Sequence, residues 1–295
     1  MSKLKKLFDE KKIIISDGAW GTELFKLGLK MSDAPEKLNI DNPSMVEQVA
    51  RSYVEAGADI IITNTFGGNS FKLKKARLEN KIHEINFKGV EISKKAATYK
   101  VLVFGSIGPT GEFMEPLGTI KETEIIESYI EQVKVLIEAG VDGIVIETMS
   151  DINEAKAALK AVKKVSDLPV IVSMTYSKTQ NGYATMMGVT PEKAAEELQS
   201  IGLDLIGSNC GSGINDFVGI VRKYRNSTNL PIWIKPNAGL PKLKDGKTIY
   251  EETPEFMTSK ISELINTGAN IIGGCCGTTP AHIEHFVKER DRLLG

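Results

Sequence analysis

Cysteine is scarce in this chain, and its scarcity excludes one class of protein. Three cysteines occur among 295 residues: Cys275 and Cys276 are adjacent, and the third is Cys210. Small secreted domains that depend on disulfides contain cysteine in larger, even numbers. A small odd number favours a reducing compartment and a metal-binding or catalytic role for the thiols. We therefore predict a cytoplasmic protein without a disulfide framework.

A surplus of charge and long apolar runs are also missing. Lys and Arg total 37 against 38 for Asp and Glu, which gives a formal net charge of −1. Nucleic-acid binding needs a basic surplus to neutralise phosphates, so we expect no nucleic-acid partner. No apolar run approaches the roughly 20 residues that span a bilayer, and the run at 13–15 is too short for the core of a signal peptide. We therefore expect no membrane partner.

Short apolar runs alternate with helical patterns along the whole chain. Eight runs rich in β-branched residues are typical of parallel strands buried on both faces. They are KIIIS, DIIITNT, VLVFGS, DGIVIET, PVIVSMT, DLIGSN, PIWIKP and NIIGGC. Eight β/α units in a chain of this length predict an α/β fold, a single (β/α)8 TIM barrel that spans residues 1–295 as one domain. The alternative is an open doubly wound sheet, but no G-x-G-x-x-G motif follows the first strand.

Capping residues support these boundaries between strands and helices. Four polar residues that can cap a helix stand directly before a proline: Asn42, Thr190, Thr253 and Thr279. Four glycines follow helical patterns, where a left-handed residue can end a helix: Gly57, Gly140, Gly202 and Gly268. Three βα connections, 19–42, 177–190 and 237–253, are longer than a minimal turn, and the last contains the favourable hairpin turn Asp245-Gly246. Long βα loops usually build or cover the site of a barrel.

Small and polar residues follow the predicted strands. Asp17 and Gly18 end the first strand, Glu147 ends the fourth, and Asn237 ends the seventh. The three cysteines lie at the ends of the sixth and eighth strands. The carboxyl ends of all eight strands of a barrel meet at one rim, where active sites sit. We therefore expect the three thiols to converge on that rim.

Three thiols at one rim predict a zinc site. A Zn²⁺ ion held tetrahedrally by three protein ligands keeps its fourth position for water or substrate. A thiol substrate bound there would lose its proton at neutral pH, and the charge donated by three thiolates would keep it nucleophilic. This donor set favours alkyl transfer to sulfur over the activation of water.

The adjacent cysteines pose a geometric difficulty, because neighbouring residues of a strand point to opposite faces. Cys275 and Cys276 can bind one metal only if the strand has already ended and the backbone turns. Gly273, Gly274 and Gly277 surround the pair and provide the freedom for such a turn.

Simpler explanations exist for each of these residues. A lone Cys210 would be a small buried apolar side chain, and the adjacent pair could form a vicinal disulfide. Glu147 could belong to a structural ion pair, and Asp17-Gly18 could be only a turn. His282 and His285 lie on the last helix, outside the barrel, where we expect them to be solvated.

The motifs at the strand ends, taken in order, resemble those of a known family. They are DGAWGTEL, TNTFGGN, GSIGPTGEF, ETMSD, GSNCGSG, KPNAGLP and GGCCGTTPAHI. Together they resemble the homocysteine S-methyltransferase domain family over essentially the whole chain, and the combination GSNC…GGCCG is the most specific part. The likeness looks closest to the N-terminal homocysteine-binding module of cobalamin-dependent methionine synthase, and it is more distant to betaine–homocysteine methyltransferase.

The resemblance implies a zinc-dependent enzyme that transfers a methyl group to homocysteine and gives methionine. It implies that the residues matching the family's three cysteines bind Zn²⁺ and act in catalysis: Cys210, Cys275 and Cys276. It also implies that Glu147 and the Asp17-Gly18 turn bind the amino acid end of homocysteine. Asn237, on the same rim, is expected to contact the substrate and to offer an oxygen to zinc while the fourth position is vacant.

The methyl donor is open at this point, because the chain resembles only the first module of a longer synthase. It is either a fragment or a protein that works with a separate methyl carrier. We expect the donor to be a methylcobalamin-carrying corrinoid protein that binds in trans. The alternatives are S-methylmethionine or a betaine as donor, a corrinoid-linked methyltransferase with another thiol acceptor, and a non-catalytic zinc-binding subunit.

Overall fold

Eight parallel strands form one sheet in the computed structural model of the chain, which describes residues 2–30, 32–97, 99–244 and 247–295. The strands are β1 (Ile14–Ile15), β2 (Ile60–Ile62), β3 (Leu102–Ile107), β4 (Gly143–Met149), β5 (Val170–Met174), β6 (Leu205–Gly213), β7 (Ile232–Asn237) and β8 (Ile271–Ile272). Their apolar side chains are buried on both faces of the sheet, as uninterrupted apolar runs predict.

The sheet closes on itself. Its strand order is β1-β8-β7-β6-β5-β4-β3-β2, with β1 paired in parallel to β8. On the other side of β1, Ser16 forms a parallel bridge with Ile60 of β2, and the Asp17 N–H donates to the Ile60 carbonyl at 2.9 Å. The prediction of a (β/α)8 TIM barrel is therefore confirmed, and the open doubly wound sheet is wrong.

Helices follow the strands and surround the barrel. They are α1 (Lys3–Lys11), α2 (Gly21–Lys26), α3 (Leu38–Asp41), α4 (Pro43–Glu55), α5 (Ser70–Lys75), α6 (Ile82–Ala97), α7 (Glu122–Glu138), α8 (Ile152–Val165), α9 (Pro191–Gln199), α10 (Ile214–Ser227), α11 (Pro254–Thr258), α12 (Ile261–Thr267) and α13 (Pro280–Leu294). Short 3-10 helices, Pro35–Lys37 and Glu79–Lys81, precede α3 and α6. The helix α4 buries Val46, Val49, Ala50 and Tyr53, the spacing of a single face that packs inward. Within the described ranges, no helix is both long and apolar enough to cross a membrane.

The predicted capping residues occupy their expected positions. Three of the four polar caps accept a hydrogen bond from the backbone N–H three residues on, each before a proline: Asn42, Thr190 and Thr253. The four predicted glycines all have left-handed backbone angles, with φ of 90°, 88°, 91° and 116° at Gly57, Gly140, Gly202 and Gly268. A side chain would strain the backbone at such angles, so glycine ends these helices at little cost.

The three long βα connections all lie at the carboxyl rim and carry structure of their own. The connection 19–42 contains α2, α3 and a 3-10 helix. The connection 177–190 contains an antiparallel hairpin of Ser177–Thr179 and Gly182–Ala184. The connection 237–253 contains a hairpin of Lys242–Lys244 and Lys247–Ile249. The predicted turn of this last hairpin, Asp245-Gly246, lies outside the described residues.

A cluster of buried charges holds both terminal helices against the amino end of the barrel. Asp59, at the start of β2, accepts from Arg290 of α13 (Nη1–Oδ2, 2.5 Å) and from Lys11 of α1 (Nζ–Oδ1, 2.5 Å). It also accepts from the backbone N–H of Ile15 at 2.8 Å. The side chains of Arg290 and Asp59 are only 6% and 3% exposed. These contacts hold β1 and β2 together at the amino end of the barrel, opposite the carboxyl rim that carries the polar residues.

Candidate metal centre

Three sulfur atoms meet at the carboxyl rim of the barrel. The Sγ atoms of Cys210, Cys275 and Cys276 all lie within 4.8 Å of one another, and those of the adjacent pair are 4.0 Å apart. A tetrahedral zinc with Zn–S bonds of about 2.3 Å places its sulfur ligands about 3.8 Å apart. The observed cluster therefore needs only small side-chain movements to hold a zinc ion. The structure brings together the three cysteines that the sequence analysis selected.

Both adjacent cysteines lie beyond the last strand, which ends at Ile272. The Cys275 N–H donates to the Pro236 carbonyl at 2.8 Å, and the Cys276 carbonyl accepts from the Ala238 N–H at 3.0 Å. The backbone then turns, and the Thr278 N–H donates to the Cys275 carbonyl at 3.1 Å. This turn removes the alternation of a strand, so both sulfurs can face the same point.

The glycines around the pair serve two different purposes. Gly277 has a φ of 83°, a left-handed angle that allows the turn. Gly273 and Gly274 instead permit close packing, since a Cβ on Gly273 would lie 2.7 Å from the Asp17 carbonyl oxygen. A Cβ on Gly274 would lie 2.3 Å from Thr278 Oγ1. The expected freedom to turn is therefore provided by Gly277, while the other two let neighbouring backbone and side chains approach.

Cys210 reaches the site through an irregular end of β6. Its φ is 62°, a left-handed angle that a residue with a side chain adopts at a cost of about 1–3 kcal/mol. The pairing of β6 with β7 shifts register between Cys210 and Gly213. Such a bulge re-aims a side chain at the end of a strand. Local strain at Cys210 thus directs its sulfur toward the pair that follows β8.

Two asparagine amides approach the sulfurs. Asn209 Nδ2 lies 3.8 Å from Cys275 Sγ, and Asn237 Nδ2 lies 3.8 Å from Cys210 Sγ. Asn209 is fixed by its other contacts, because Oδ1 accepts from the Thr148 N–H at 2.8 Å and from Ser173 Oγ at 2.6 Å. An amide N–H directed at a thiolate stabilises its negative charge. Asn209 was not predicted as a site residue, although it stands directly before Cys210 in GSNC.

Asn237 also carries a buried oxygen that needs a partner. Its Nδ2 donates to the Gly211 carbonyl at 3.3 Å. Its Oδ1 is buried without a hydrogen-bond partner among the residues that the structure describes. A buried acceptor without a donor costs about 1–3 kcal/mol. A buried oxygen without a donor, next to three sulfurs, is consistent with a cation-binding site.

The protonation of the three thiols is coupled. The neighbouring thiols of Cys275 and then Cys276 lower the pKa of the Cys210 thiol, because they stabilise its thiolate. Cys210 in turn raises the pKa of Cys275 and of Cys276, because ionising either thiol would place a second negative charge beside the Cys210 thiolate. The three thiols therefore resist ionising together, and a divalent cation would favour the ionised form of all three.

Below the sulfurs, Asp17 forms a buried ion pair with Lys235 of β7. Lys235 Nζ lies 2.6 Å from Asp17 Oδ1, and the two side chains are 2% and 0% exposed. The other oxygen, Asp17 Oδ2, accepts from Trp20 Nε1 and from the Ile62 N–H, both at 2.8 Å. Burial lowers the pKa of Lys235, but the carboxylates of Asp17 and Glu147 outweigh it and hold the pKa above its usual value. Asp17 was predicted from the sequence as a site residue, and Lys235 was not.

Glu147 points into the same layer from β4. Its Oε1 accepts from Ser106 Oγ at 2.5 Å, and the side chain is buried. Burial raises the pKa of the Glu147 carboxyl, and Lys235 opposes this shift. No salt bridge of Glu147 occurs among the described residues, so a structural ion pair in direct contact does not account for this carboxylate.

Gly18, which follows Asp17, packs closely against Tyr53 and Thr278. A Cβ on Gly18 would lie 2.7 Å from the Tyr53 hydroxyl oxygen and 2.9 Å from Thr278 Oγ1. The next residue, Ala19, donates its N–H to Thr278 Oγ1 at 3.1 Å. The Asp17-Gly18 turn is therefore packed directly against the segment that carries the adjacent cysteines.

One expectation is wrong: His282 is buried rather than solvated. Its Nδ1 accepts from the Thr279 N–H at 3.1 Å, and its Nε2 donates to the Glu252 carbonyl at 3.0 Å. The ring therefore caps α13 and fastens the connection 237–253 beside the site. The first turn of α13 packs against the connection 237–253. The sequence of the helix alone does not predict this contact, so the burial of His282 was not expected. His285, one turn on, is about one-third exposed.

Comparison with solved structures supports the barrel fold. The metallated homocysteine methyltransferase MmuM from Escherichia coli superposes with a TM-score of 0.82 at 22% identity, over 98% of this chain and 99% of that one. A methyltransferase from Methanosarcina mazei superposes with a TM-score of 0.61 at 13% identity, over 96% and 95% of the two chains. At these identities the likeness establishes the fold alone.

Sequence comparison identifies the family. The chain is 31% identical to the methionine synthase of Mycobacterium tuberculosis and 30% identical to that of Mycobacterium leprae, in each case over 92% of this chain and 24% of the relative. It therefore spans about a quarter of the length of these relatives. The model of the homocysteine S-methyltransferase family matches residues 14–289, which include all eight strands and the three clustered cysteines. The chain belongs to the homocysteine S-methyltransferase family.

Proposed function

We propose that this protein transfers a methyl group to the sulfur of homocysteine, giving methionine, at a zinc ion bound by Cys210, Cys275 and Cys276. The observation that carries the proposal is the convergence of three Sγ atoms within 4.8 Å at the rim of a barrel of this family. A bound zinc supplies a fourth position where a thiol loses its proton at neutral pH and stays nucleophilic. In the transfer, the donor's bond to the methyl carbon breaks, a sulfur–carbon bond forms, and the thiol proton leaves to solvent.

The chain's own residues adjust the charge of the metal ligands. The amides of Asn209 and Asn237 donate to Cys275 and Cys210, which moderates the negative charge of these sulfurs. Asn237 Oδ1 offers an oxygen to the metal before the substrate arrives, which would satisfy its orphaned acceptor. These contacts position the cysteine ligands, and the substrate sulfur is the nucleophile.

Glu147 and the Asp17-Gly18 turn bind the amino acid end of the substrate in this proposal. Among the described residues, Glu147 has one hydrogen-bond donor, Ser106, so its carboxylate retains acceptor capacity for an ammonium group. Asp17 is occupied by donors of the protein itself, so it acts by shaping the turn through Gly18 and Ala19. Binding both ends of homocysteine orients its sulfur toward the donor.

A methylcobalamin-carrying protein that docks in trans is the proposed donor, with S-methylmethionine or a betaine as the alternative. The rim loops support a macromolecular partner, since they expose large apolar side chains: Phe113, Leu117, Met186, Leu240 and Leu243. Apolar side chains that form a contiguous exposed patch mark sites of protein association. A small donor would not need such a surface.

Metal analysis and a panel of donors test this function. Reduced, freshly purified protein should contain about one zinc per chain and should form methionine from homocysteine with methylcobalamin. Protein without zinc would overturn the metal site. Activity only with S-methylmethionine or a betaine would replace the donor, and activity with another thiol alone would replace the acceptor. A zinc protein that is inactive with every donor and thiol would be a binding subunit.

A further inference from the structure

One arrangement repeats in β2, β4, β6 and β8. Directly before each of these strands, a side-chain oxygen accepts the backbone N–H of the preceding strand at 2.8–3.0 Å, and the four residues are Asp59, Asp142, Asp204 and Asn270. Five and six positions further on, at the carboxyl rim, stand the pairs Asn64-Thr65, Glu147-Thr148, Asn209-Cys210 and Cys275-Cys276. Asn209 therefore occupies the position in β6 that Cys275 occupies after β8, and equivalent positions of alternate strands lie in one layer of a barrel.

The repeat extends to the backbone at the ends of β4 and β6. Thr148 and Cys210 both have a φ of 62°. The strand pairing shifts register at both places, between Ile146 and Met149 on β4 and between Cys210 and Gly213 on β6. A left-handed angle is rare for a β-branched residue, and it persists only where the surrounding structure holds it. The contacts of Thr148 therefore have to fix this end of β4.

These contacts come from the side-chain amide of Asn209. Its Oδ1 accepts from the Thr148 N–H at 2.8 Å, and its Nδ2 donates to Thr148 Oγ1 at 2.7 Å. Oδ1 also accepts from Ser173 Oγ at 2.6 Å, and Nδ2 also donates to Cys275 Sγ at 3.8 Å. An amide has two donor and two acceptor positions, so all four are used. The side chain is fully buried, which leaves it no water to exchange these partners for.

The Thr148 backbone determines which end of the amide faces the sulfur. A backbone N–H can only donate, so the atom opposite it is the amide oxygen, and the nitrogen then faces Cys275. Turning the amide over would place two donors against each other at Thr148 and an oxygen against the sulfur.

We propose that Asn209 is a positioning residue that joins the left-handed end of β4 to the Cys275 sulfur, and that Thr148 sets its orientation. A change at the end of β4 then reaches the metal centre through one side chain, although Thr148 and Cys275 belong to different strands. This inference rests on the proposed function for the metal at the three sulfurs and does not depend on methyl transfer.

Zinc release to a chelator tests the connection. Thr148→Val removes the hydroxyl that holds Asn209 and keeps the branched shape, whereas Thr148→Ser keeps the hydroxyl and should match the wild-type protein. Thr148→Val should release zinc about threefold faster than wild type, and Asn209→Leu about tenfold faster. Because Thr148 acts through Asn209, the double variant should release zinc no faster than Asn209→Leu. Thr179→Val, which removes a hydroxyl from an exposed hairpin of the same rim, is the matched control and should also match wild type.

Cobalt(II) in place of zinc gives a readout that lost stability alone does not produce. An amide donor lowers the energy of the sulfur electrons. Its loss should therefore move the sulfur-to-cobalt charge-transfer band to longer wavelength in Thr148→Val and Asn209→Leu, while Thr148→Ser and Thr179→Val keep the wild-type band. Hydrogen exchange in metal-free protein checks the other half of the connection, because the Thr148 N–H should exchange faster in Asn209→Leu.

Three outcomes would overturn the inference. They are a Thr148→Val variant with wild-type zinc release and cobalt band, equal effects of Thr148→Val and Thr148→Ser, and effects of Thr148→Val and Asn209→Leu that add in the double variant. If Asn209→Leu does not fold, the comparison of Thr148→Val with Thr148→Ser decides. Failure of the proposed function would appear differently, as a zinc-loaded protein that shows these effects but methylates no thiol. Wild-type protein that binds neither metal would overturn the metal site and this inference with it.

Discussion

Asn237 holds its amide nitrogen 3.8 Å from Cys210 Sγ and leaves its amide oxygen buried without a partner among the described residues. We expect Asn237→Leu, which keeps the size of the side chain, to release zinc about tenfold faster to a chelator than the wild-type protein. Homocysteine should reduce the difference, because the substrate sulfur replaces the lost oxygen. Chelator-dependent release, followed with and without homocysteine, measures both. Equal rates for the two proteins would show that Oδ1 does not serve the metal.

Cys276→Ala tests the ligand set directly. Removing one of three thiolates should abolish stoichiometric zinc retention, since two protein ligands do not make a stable zinc site. The barrel should stay folded, because Cys276 is only partly buried and lies beyond the last strand. Metal content and far-UV circular dichroism measure the two effects. Met186→Ala, also on the rim but away from the cluster, should keep its zinc, and stoichiometric zinc in Cys276→Ala would mean that this cysteine is not a ligand.

Arg290→Met tests the buried charge cluster at the other end of the barrel. The change leaves Asp59 with Lys11 as its remaining cation, and breaking such a buried pair costs about 3 kcal/mol of unfolding free energy. Arg292→Met, on the same helix, removes an ion pair whose arginine side chain is 67% exposed, so it should cost much less than Arg290→Met. Urea denaturation compares the two variants. Equal stability losses would contradict the role of Arg290 in closing the barrel.

His282 predicts a pH dependence of stability. Burial lowers the pKa of its imidazole, so the unfolded chain binds this proton more readily than the folded chain does. The stabilisation is therefore complete above the unfolded value of about 6.5 and is lost as the pH falls toward the lower, folded value. The loss amounts to up to about 1.4 kcal/mol for each pH unit between the two values.

Denaturation between pH 7.5 and 5 checks this, with His282→Gln as the variant and His285→Gln as the control on the same helix. His282→Gln should flatten the decline between these values, and His285→Gln should leave it unchanged. An identical decline in His282→Gln and the wild type would assign the pH dependence to other groups.

The barrel and the sulfur cluster are predictable because their signals are local or follow from topology. Each strand is a short β-branched run between a helix end and a polar residue. Such a run can be recognised in the sequence without knowing which distant residues it contacts. Once the runs form a barrel, all strand ends share a rim. Cys210 and the adjacent pair must then be neighbours despite their separation in the chain. The convergence of the three sulfurs could therefore be predicted without any side-chain detail.

The polar residues that serve the cluster are less accessible from the sequence. Lys235 lies in the run PIWIKP, where alternation from Trp233 to Asn237 could have placed it on the inner face. Its partner Asp17 lies on the other side of the barrel seam, and only the closed sheet brings the two together. The left-handed φ of Cys210 could not be predicted from the sequence, because such angles are expected at glycine and the residue at this position is a cysteine. Long-range pairing and local strain therefore had to come from the structure.

Closure of the seam between β1 and β8 bears on when the proposed metal site can form. The Gly274 N–H donates to the Asp17 carbonyl at 3.0 Å, so the segment that carries the adjacent cysteines is anchored to the first strand of the barrel. Two of the three sulfurs therefore reach their places only after the last strand has joined the first. If the cluster binds zinc as proposed, its affinity for the metal would therefore depend on ring closure. Metal uptake would then report that the chain has completed its fold.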